Sequence, residues 1–296
     1  MIGPQTGMLP DGRRLHLNHG PIDLIVEAFG SETERGAAYA QAIERFRTLL
    51  DELVAELPEL RRPSTVSPRL FAGPTAARME AAVSPLARVF ITPMAAVAGA
   101  VADEMMAALM EGRRLDKAYV NNGGDTALYL SKGREIRVAI AGTGHGLHDR
   151  IAIRAADPVR GLATSGWRGR SFSLGIADAV TVLARNAAEA DAAATIVANA
   201  VDLPNHRAVQ RAPAGSLAPD NDLGDRLVTI GVGKLLAREI AQALDNGLAM
   251  AEELRARNLI AAAALFLCGE SRICGPLATA RMTGDNALFS EELIHG

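Results

Sequence analysis

Cysteine is almost absent from this chain: Cys268 and Cys274 are the only two among 296 residues. Two thiols cannot staple a chain of this size, and without a second pair they make a poor zinc site. Both are expected to be reduced and mostly structural. Lysine is equally scarce, confined to Lys117, Lys132 and Lys234, so arginine carries nearly all the positive charge. Acids number 34 against 31 bases, for a net charge of −3, and neither sign is blocked into a tail. A broad nucleic-acid-binding surface is therefore disfavoured. Aromatic residues make up 4% of a chain that is 49% hydrophobic, much of it alanine. The expected core is one of small, closely packed helices and Leu/Val/Ile strands. No apolar run reads as approaching the ~20 residues that span a bilayer. The nearest, Leu259 to Cys268, fits a buried strand or helix end. Met1 to Arg14 lacks the apolar stretch and small-residue cleavage site of a secretory signal. The expected setting is cytoplasmic, with no membrane and no nucleic acid as partner.

What is present is a succession of short strands and long helices. Arg14 to Ala28 reads as a hairpin turning at His19-Gly20-Pro21. Ser31 and Glu34 carry a capping-box signature, and the apolar spacing from Ile43 to Leu57 predicts a helix that Pro58 ends. The proline-containing stretch from there to Pro74 reads as a loop or crossover rather than a domain break. Val89 to Thr92 reads as a strand, with a helix over Met94 to Met110 after Pro93. Strands follow at Ala118 to Asn121, Thr126 to Leu130, Ile136 to Ala141, Ile151 to Arg154 and Ala179 to Ala184. A helix covers Ala187 to Ala200 and loop chemistry fills Asp202 to Asp225. A strand at Leu227 to Val232 and a helix from about Lys234 to Arg257 complete the pattern. This is the signature of an α+β domain of antiparallel sheet covered by long helices. It reads as one domain over 1–296, within which residues 14–60 stand out as a hairpin-helix subdomain.

Four motifs offer chemistry. In Asn121-Asn122-Gly123-Gly124-Asp125, paired glycines let backbone approach a ligand, with Asp125 free to grip a ribose or ring edge. The plainer alternative, favoured by spacing alone, is an ordinary hairpin turn. Asp191 and Thr195 lie four apart and so share one face of an alanine-rich helix. A carboxylate and a hydroxyl are hard oxygen ligands suited to Mg²⁺, and the alanines around them would admit a cofactor or another backbone. The alternative is a surface acid and a helix-interior threonine. Ala163-Thr164-Ser165-Gly166-Trp167, with Arg168 and Arg170 behind it, combines small donors, two cations for phosphate and one ring for stacking. The alternative there is a polar loop with an aromatic plug. Gly142-Thr143-Gly144-His145-Gly146 looks like a phosphate loop but lacks a following helix; His145 and His148 are candidate bases. The acidic stretch around Asn205, His206 and Asp220 to Asp225 does not match a calcium loop and reads as solvated turn chemistry, although a loop of that length is a functional flag.

Taken in order, Asn-Asn-Gly-Gly-Asp at 121–125, Ala-Thr-Ser-Gly-Trp at 163–167, Val-Thr-Val at 180–182 and Ala-Asp-Ala-Ala-Ala-Thr at 190–195 resemble the ApbE proteins, Mg-dependent FAD:protein FMN transferases. Thr-Pro-Met-Ala-Ala-Val-Ala-Gly at 92–99 and Asp-Leu-Gly-Asp at 222–225 are similar to an uncharacterised cytoplasmic branch of that superfamily. The resemblance runs from Arg14 to about Gly269. It implies an ApbE-like, T-fold-related architecture and Mg²⁺ on Asp191 and Thr195. It also implies a flavin nucleotide, FAD or FMN, beside Asn122, Gly123, Gly124 and Asp125, with Thr164, Ser165 and Gly166 at a further flavin-contacting turn. Trp167 falls where those enzymes often carry an aromatic residue, and Arg168 and Arg170 are expected at phosphate. Two departures accompany the match. The transferases' His-Ile-x-Asp-Pro-x-Thr-Gly signature is missing between Gly166 and Val180, and Pro93 to Asp103 has no lysine.

The expectation is an ApbE-like protein that binds a phosphorylated, ring-bearing cofactor or metabolite with Mg²⁺ and acts in cofactor metabolism. If it is an enzyme, it is a Mg-dependent transferase on a phosphorylated cofactor. A non-catalytic binding or assembly protein on the same scaffold is one alternative, and a genuine FMN transferase is another. Assembly as a homodimer stays open.

Overall fold

The computed structural model describes residues 3–139, 150–276 and 279–280. The first strands are β1 (Gln5–Met8), β2 (Leu15–His19) and β3 (Ile22–Phe29). Leu15, Leu17, Leu24 and Val26, alternating with the less buried His16, Asn18, Asp23 and Ile25, bury one face of the β2–β3 hairpin. Its turn uses Gly20 at φ +58. Helix α1 (Glu32–Leu60) starts where the Ser31 hydroxyl accepts the Glu34 N–H. It does not stop at Pro58 but runs two residues past it, and Arg61 N–H still closes on Leu57 O at 3.0 Å. Proline removes one ladder bond near Val54, whose side chain is 48% exposed, so water can take the freed carbonyl there.

The next elements are α2 (Pro74–Val83), a short 3₁₀ turn over Pro93–Ala96, α3 (Val97–Met110), β4 (Lys117–Asn122), β5 (Asp125–Leu130), β6 (Glu135–Ala139), β7 (Arg150–Arg154), β8 (Gly161–Ser165) and β9 (Ala179–Ala184). Then come α4 (Ala187–Ala200), β10 (Val209–Pro213), α5 (Ala214–Leu217), β11 (Leu227–Val232), α6 (Ala237–Ala256), β12 (Ala262–Leu267), β13 (Glu270–Cys274) and β14 (Thr279–Ala280). Nine strands form one sheet in the order β1-β2-β3-β4-β5-β8-β9-β12-β13. Every neighbouring pair in it is antiparallel. A three-stranded sheet, β14-β7-β6, and the β10–β11 ribbon stand apart from it.

Both faces of the large sheet are buried, which explains its near-continuous apolar strands. Val120 of β4, Val180 and Val182 of β9 and Leu265 of β12 face the helices. Tyr119, Leu128 and Leu183 face the other way and pack on Ile136, Val138, Ile151 and Ile153 of the smaller sheet. The fold is thus α+β, antiparallel sheet covered by long helices, as expected. The most apolar long stretch is Pro93–Met110, with a mean hydropathy of 1.3 over 18 residues, and not Leu259 to Cys268, which supplies β12. By length and composition that stretch could cross a membrane. Here it is a core helix, packed on α1, α2, α4 and the sheet.

Four local expectations are corrected. Val89 to Thr92 forms no strand; Val89 N–H closes a turn on Leu86 O (3.3 Å), Ile91 O accepts the Ser64 N–H (2.9 Å), and the Thr92 side chain bonds Asp222. Burial of Ile91 and Thr92 satisfies their β-branched side chains without a ladder. Ala163, Thr164 and Ser165 belong to β8 and not to a loop, paired with Val182, Thr181 and Val180 of β9. Asp202 to Asp225 is not all loop, because β10 crosses it to pair with β11. Helix α2 begins at Pro74, the last proline of a stretch read as unstructured. The glycine-rich segment 142–146, with His145 and His148, lies outside the described residues.

Candidate functional site

The β4–β5 connection is a two-residue turn. Asn122 pairs with Asp125, and Gly123 and Gly124 take φ +62 and +110. Positive φ at both central positions is what such a turn demands, so the plain hairpin explains the glycines. What it does not explain is the company kept by the turn's flanks. Asp125 is 8% exposed, and its Oδ1 accepts the Thr164 N–H from β8 at 3.2 Å. Asn122, also buried, donates its side-chain amide to Ala98 O at 3.1 Å, tying the hairpin to the start of α3.

Asp191, on α4, reaches the same place. Its Oδ2 accepts the Gly99 N–H at 3.0 Å, in the first turn of α3. Reciprocally, Asp103 of α3 accepts the Ala187 and Ala188 N–H groups at 3.0 and 2.8 Å, in the first turn of α4. Each helix thus supplies the carboxylate that caps the other, satisfying donors no helix can satisfy alone. The helices come this close because Gly99 has no side chain: a Cβ there would lie 2.2 Å from Ala187 O. The alanine-rich faces therefore serve the approach of another backbone, the second of the two uses foreseen for them.

Burial and like charge dominate the electrostatics. Burial pushes the Asp125 carboxyl well above the usual range, and the negative charge of Asp191 pushes it further; the Thr164 N–H and Arg170 pull it back. Burial raises Asp191 as well, with the Gly99 and Ala98 N–H groups opposing and Asp103 adding to the rise. Burial carries Asp103 up to about 6 against the pull of its two N–H partners. Asp125 of the hairpin tip is thus a buried acid, and Asp191 of the helix is a part-buried one whose charge disfavours ionisation of Asp125. Thr195, one turn along α4 from Asp191, is part-exposed, and its hydroxyl has no hydrogen-bond partner among the described residues. No three His, Cys, Asp or Glu side chains form a metal cluster among the described residues. The oxygen set of Asp191, Thr195 and Asp125 is compatible with a hard cation that keeps several waters.

The third motif divides. The Thr164 hydroxyl is engaged with Thr181 at 2.9 Å. Ser165 is the last residue of β8, part-exposed at the end of the strand. A Cβ on Gly166 would lie 2.6 Å from Asp178 O, so that glycine is required by the chain's own close approach rather than by a ligand. Trp167 donates Nε1–H to Asp178 Oδ1 at 3.2 Å, and Arg168 lies 4.7 Å from the centre of the Trp167 ring. Arg168 itself is bound to Asp178 at 2.5 Å, and the other Asp178 oxygen accepts the Cys268 N–H at 2.6 Å. Arg170 lies instead against Gly123.

The structure brings together Asn122, Gly123, Asp125, Thr164, Arg170 and Asp191. It holds Trp167 and Arg168 in a separate knot around Asp178. The acidic stretch is turn chemistry, as expected: Asn221 Oδ1 accepts the Leu223 and Gly224 N–H groups at 2.6 and 2.8 Å. His206 pairs with Glu239 at 3.3 Å. Asp222 accepts the Thr92 hydroxyl and so ties that stretch to the segment leading into α3. The parts played by two residues escaped the sequence reading. Asp103 gave a signal only as one of the adjacent acids Asp103-Glu104 in an apolar helix, and Thr181 only as the centre of the Val-Thr-Val motif.

The family described as AbpE bacteria matches residues 6–273. The chain is 35% identical over 193 residues to the UPF0280 protein of Methanopyrus kandleri, covering 64% of this chain and 75% of that one. It is 37% identical over 124 residues to the UPF0280 protein of Methanoregula boonei, covering 40% of this chain and 51% of the relative. Among solved structures it is similar to a mutant of the flavin transferase ApbE from Vibrio cholerae, with a TM-score of 0.47, 11% identity and coverage of 94% and 97%. It is also similar to the ApbE protein from Thermotoga maritima, with a TM-score of 0.40, 14% identity and coverage of 68% and 88%.

Proposed function

The chain belongs to the AbpE bacteria family, and from that premise we propose that it binds a phosphorylated, ring-bearing cofactor of the flavin-nucleotide kind together with Mg²⁺, and acts in cofactor metabolism. One observation carries the reading: buried Asp125 of a hairpin tip and part-buried Asp191 of a helix, tied to β8 and to the start of α3, lie near enough that the charge of Asp191 raises the Asp125 carboxyl. A structure that only needed to fold would gain by replacing such a pair with apolar groups. Asp191 and Thr195, with Asp125 opposite, would hold the ion. Bound there, Mg²⁺ supplies the counter-charge for a pyrophosphate and makes its phosphorus more susceptible to attack.

The remaining residues prepare that place. The Gly99 N–H fixes one Asp191 oxygen, and the Thr164 N–H fixes one oxygen of Asp125. Asn122 holds the Gly-Gly turn against α3, so that the exposed turn backbone faces the ligand at a fixed distance from the acids. The reading is tested by calorimetric titration of the protein with Mg²⁺ and with FAD or FMN, alone and together. Asp191→Asn keeps an oxygen for the Gly99 N–H but loses the charge. The expected outcome is metal-dependent nucleotide binding that this variant abolishes with little change in melting temperature. Wild-type protein without metal-dependent binding, or a variant that binds as tightly, overturns it.

The mutual capping of α3 and α4 favours a second reading, a non-catalytic scaffold in which Asp191 is only a cap. On that reading Asp191→Ala destabilises the fold and Asp191→Asn changes nothing. FMN transfer to an acceptor-threonine peptide is expected to be negative, because the transferases' histidine-bearing signature is missing.

A further inference from the structure

The two arginines behind Trp167 look interchangeable in the sequence and are not so in the fold. Arg168 is committed: its Nε bonds Asp178 and its guanidinium covers the Trp167 ring. Arg170 has no hydrogen bond and no ion pair among the described residues. Its side chain is exposed, and its guanidinium lies over the Gly-Gly turn. Nη2 lies 1.6 Å, and Cζ 2.8 Å, from where a Cβ on Gly123 would stand. The guanidinium occupies the space that any side chain at 123 would fill. It sits beside Asp125 without pairing to it, so its planar fork of donors stays available above the turn. Its charge reaches the buried Asp125 and draws that carboxyl down without a hydrogen bond between them.

We propose that Arg170, seated on Gly123, is the specificity residue by which the site selects phosphorylated ligands over their dephosphorylated counterparts. The proposal rests on the metal–nucleotide reading above and adds to it the group being recognised: a phosphate monoester or diphosphate, taken by the guanidinium in a bidentate pair while its ring lies elsewhere in the cleft. Gly123 then has two duties, the positive φ of the turn and the seat for the cation. The seat is why Arg170, three residues beyond the end of the Trp167 motif, belongs to the site at all.

The test measures binding of FMN and of riboflavin, each with Mn²⁺ in place of Mg²⁺, to wild type, Arg170→Gln, Arg170→Lys and Gly123→Ala, with Mn²⁺ alone as a control. Losing a charge-assisted pair of about 1.5–3 kcal/mol weakens FMN binding about 10- to 100-fold. Arg170→Gln should show that loss for FMN and none for riboflavin, with Mn²⁺ alone still bound. Arg170→Lys, which keeps charge but not the fork, should fall between. Gly123→Ala displaces the flexible guanidinium and should reproduce the loss, and the double variant Gly123→Ala/Arg170→Gln should lose no more than either single one. Arg170→Gln binding FMN within twofold of wild type overturns the proposal and leaves the metal–nucleotide reading standing. So does Gly123→Ala binding FMN unchanged, or riboflavin weakening as much as FMN. Wild type that binds neither Mn²⁺ nor FMN removes the reading of the site, and the proposal with it.

Discussion

Replacing Gly99 with alanine sets two physical effects of opposite sign against each other. In an unencumbered helix the change adds about 1 kcal/mol of stability, because alanine is the better helix former. At Gly99 the new Cβ would stand 2.2 Å from Ala187 O, 2.5 Å from its carbonyl carbon and 2.8 Å from Ala188 N. All three are backbone atoms of α4 and cannot swing aside, so α3 and α4 must separate by about 1 Å to restore ordinary contact, an overpacking cost of about 1–3 kcal/mol. That separation lengthens the bonds joining Asp191 to Gly99 and Asp103 to Ala187 and Ala188, now 3.0, 3.0 and 2.8 Å. Each charge-assisted bond contributes about 1.5–3 kcal/mol. Weakening rather than losing them brings the expected net destabilisation to about 3–5 kcal/mol, a large share of a typical domain's total. Gly36 of α1 is the internal control: it is exposed, and a Cβ there meets nothing within 4 Å. Urea unfolding followed by circular dichroism, with unchanged slope, should place Gly99→Ala well below wild type and Gly36→Ala about 1 kcal/mol above it. A Gly99→Ala protein as stable as wild type would refute the close approach of the two helices and the capping that depends on it.

Two further outcomes follow from single carboxylates. The folded Asp103 carboxyl is raised from 3.8 to about 6, so between those values the folded state binds more protons than the unfolded one. Stability contributed below pH 4 is therefore lost as pH rises to 6, by about 3 kcal/mol at 1.36 kcal/mol per pH unit. Urea unfolding at pH 4 to 7 should show wild type losing that much relative to Asp103→Asn on the way up, and a constant difference would count against it. Asp178→Ala unties Trp167 and Arg168 and leaves the Cys268 N–H without its acceptor; because Trp167 is the only tryptophan, its emission should shift red and quench more readily with acrylamide. Stability should fall by about 1–3 kcal/mol, and unchanged emission would refute the anchoring.

Local signals carried much of the fold. The hairpin over β2 and β3 and the bounds of α4 at Ala187 and Ala200 could be read directly from the residue pattern. Helix α2 was hidden because a proline that opens a helix and a proline that breaks one are the same residue. Strand β10 was hidden because only its partner β11 orders it. Of the site, the hairpin turn and the Asp191/Thr195 spacing were legible. The convergence of Asp125 on Asp191 and the capping by Asp103 were not, because both depend on elements far apart in the chain. Nor could the sequence tell Arg168 from Arg170, since what separates them is an acid at 178 and a missing side chain at 123.

The exchange of caps between α3 and α4 also bears on how the molecule assembles. The Gly99 N–H of α3 and the Ala187 and Ala188 N–H groups of α4 find their carboxylates only when the two helices have docked, and the strands β4 to β9 lie between them in the chain. Nucleating one alone leaves bare donors at its most costly end. The two should therefore form and open as a single cooperative unit. In native-state hydrogen exchange, the amides of Gly99, Ala187 and Ala188 should share one opening free energy despite their separation in sequence, and a ligand held at Asp191 should slow all three together.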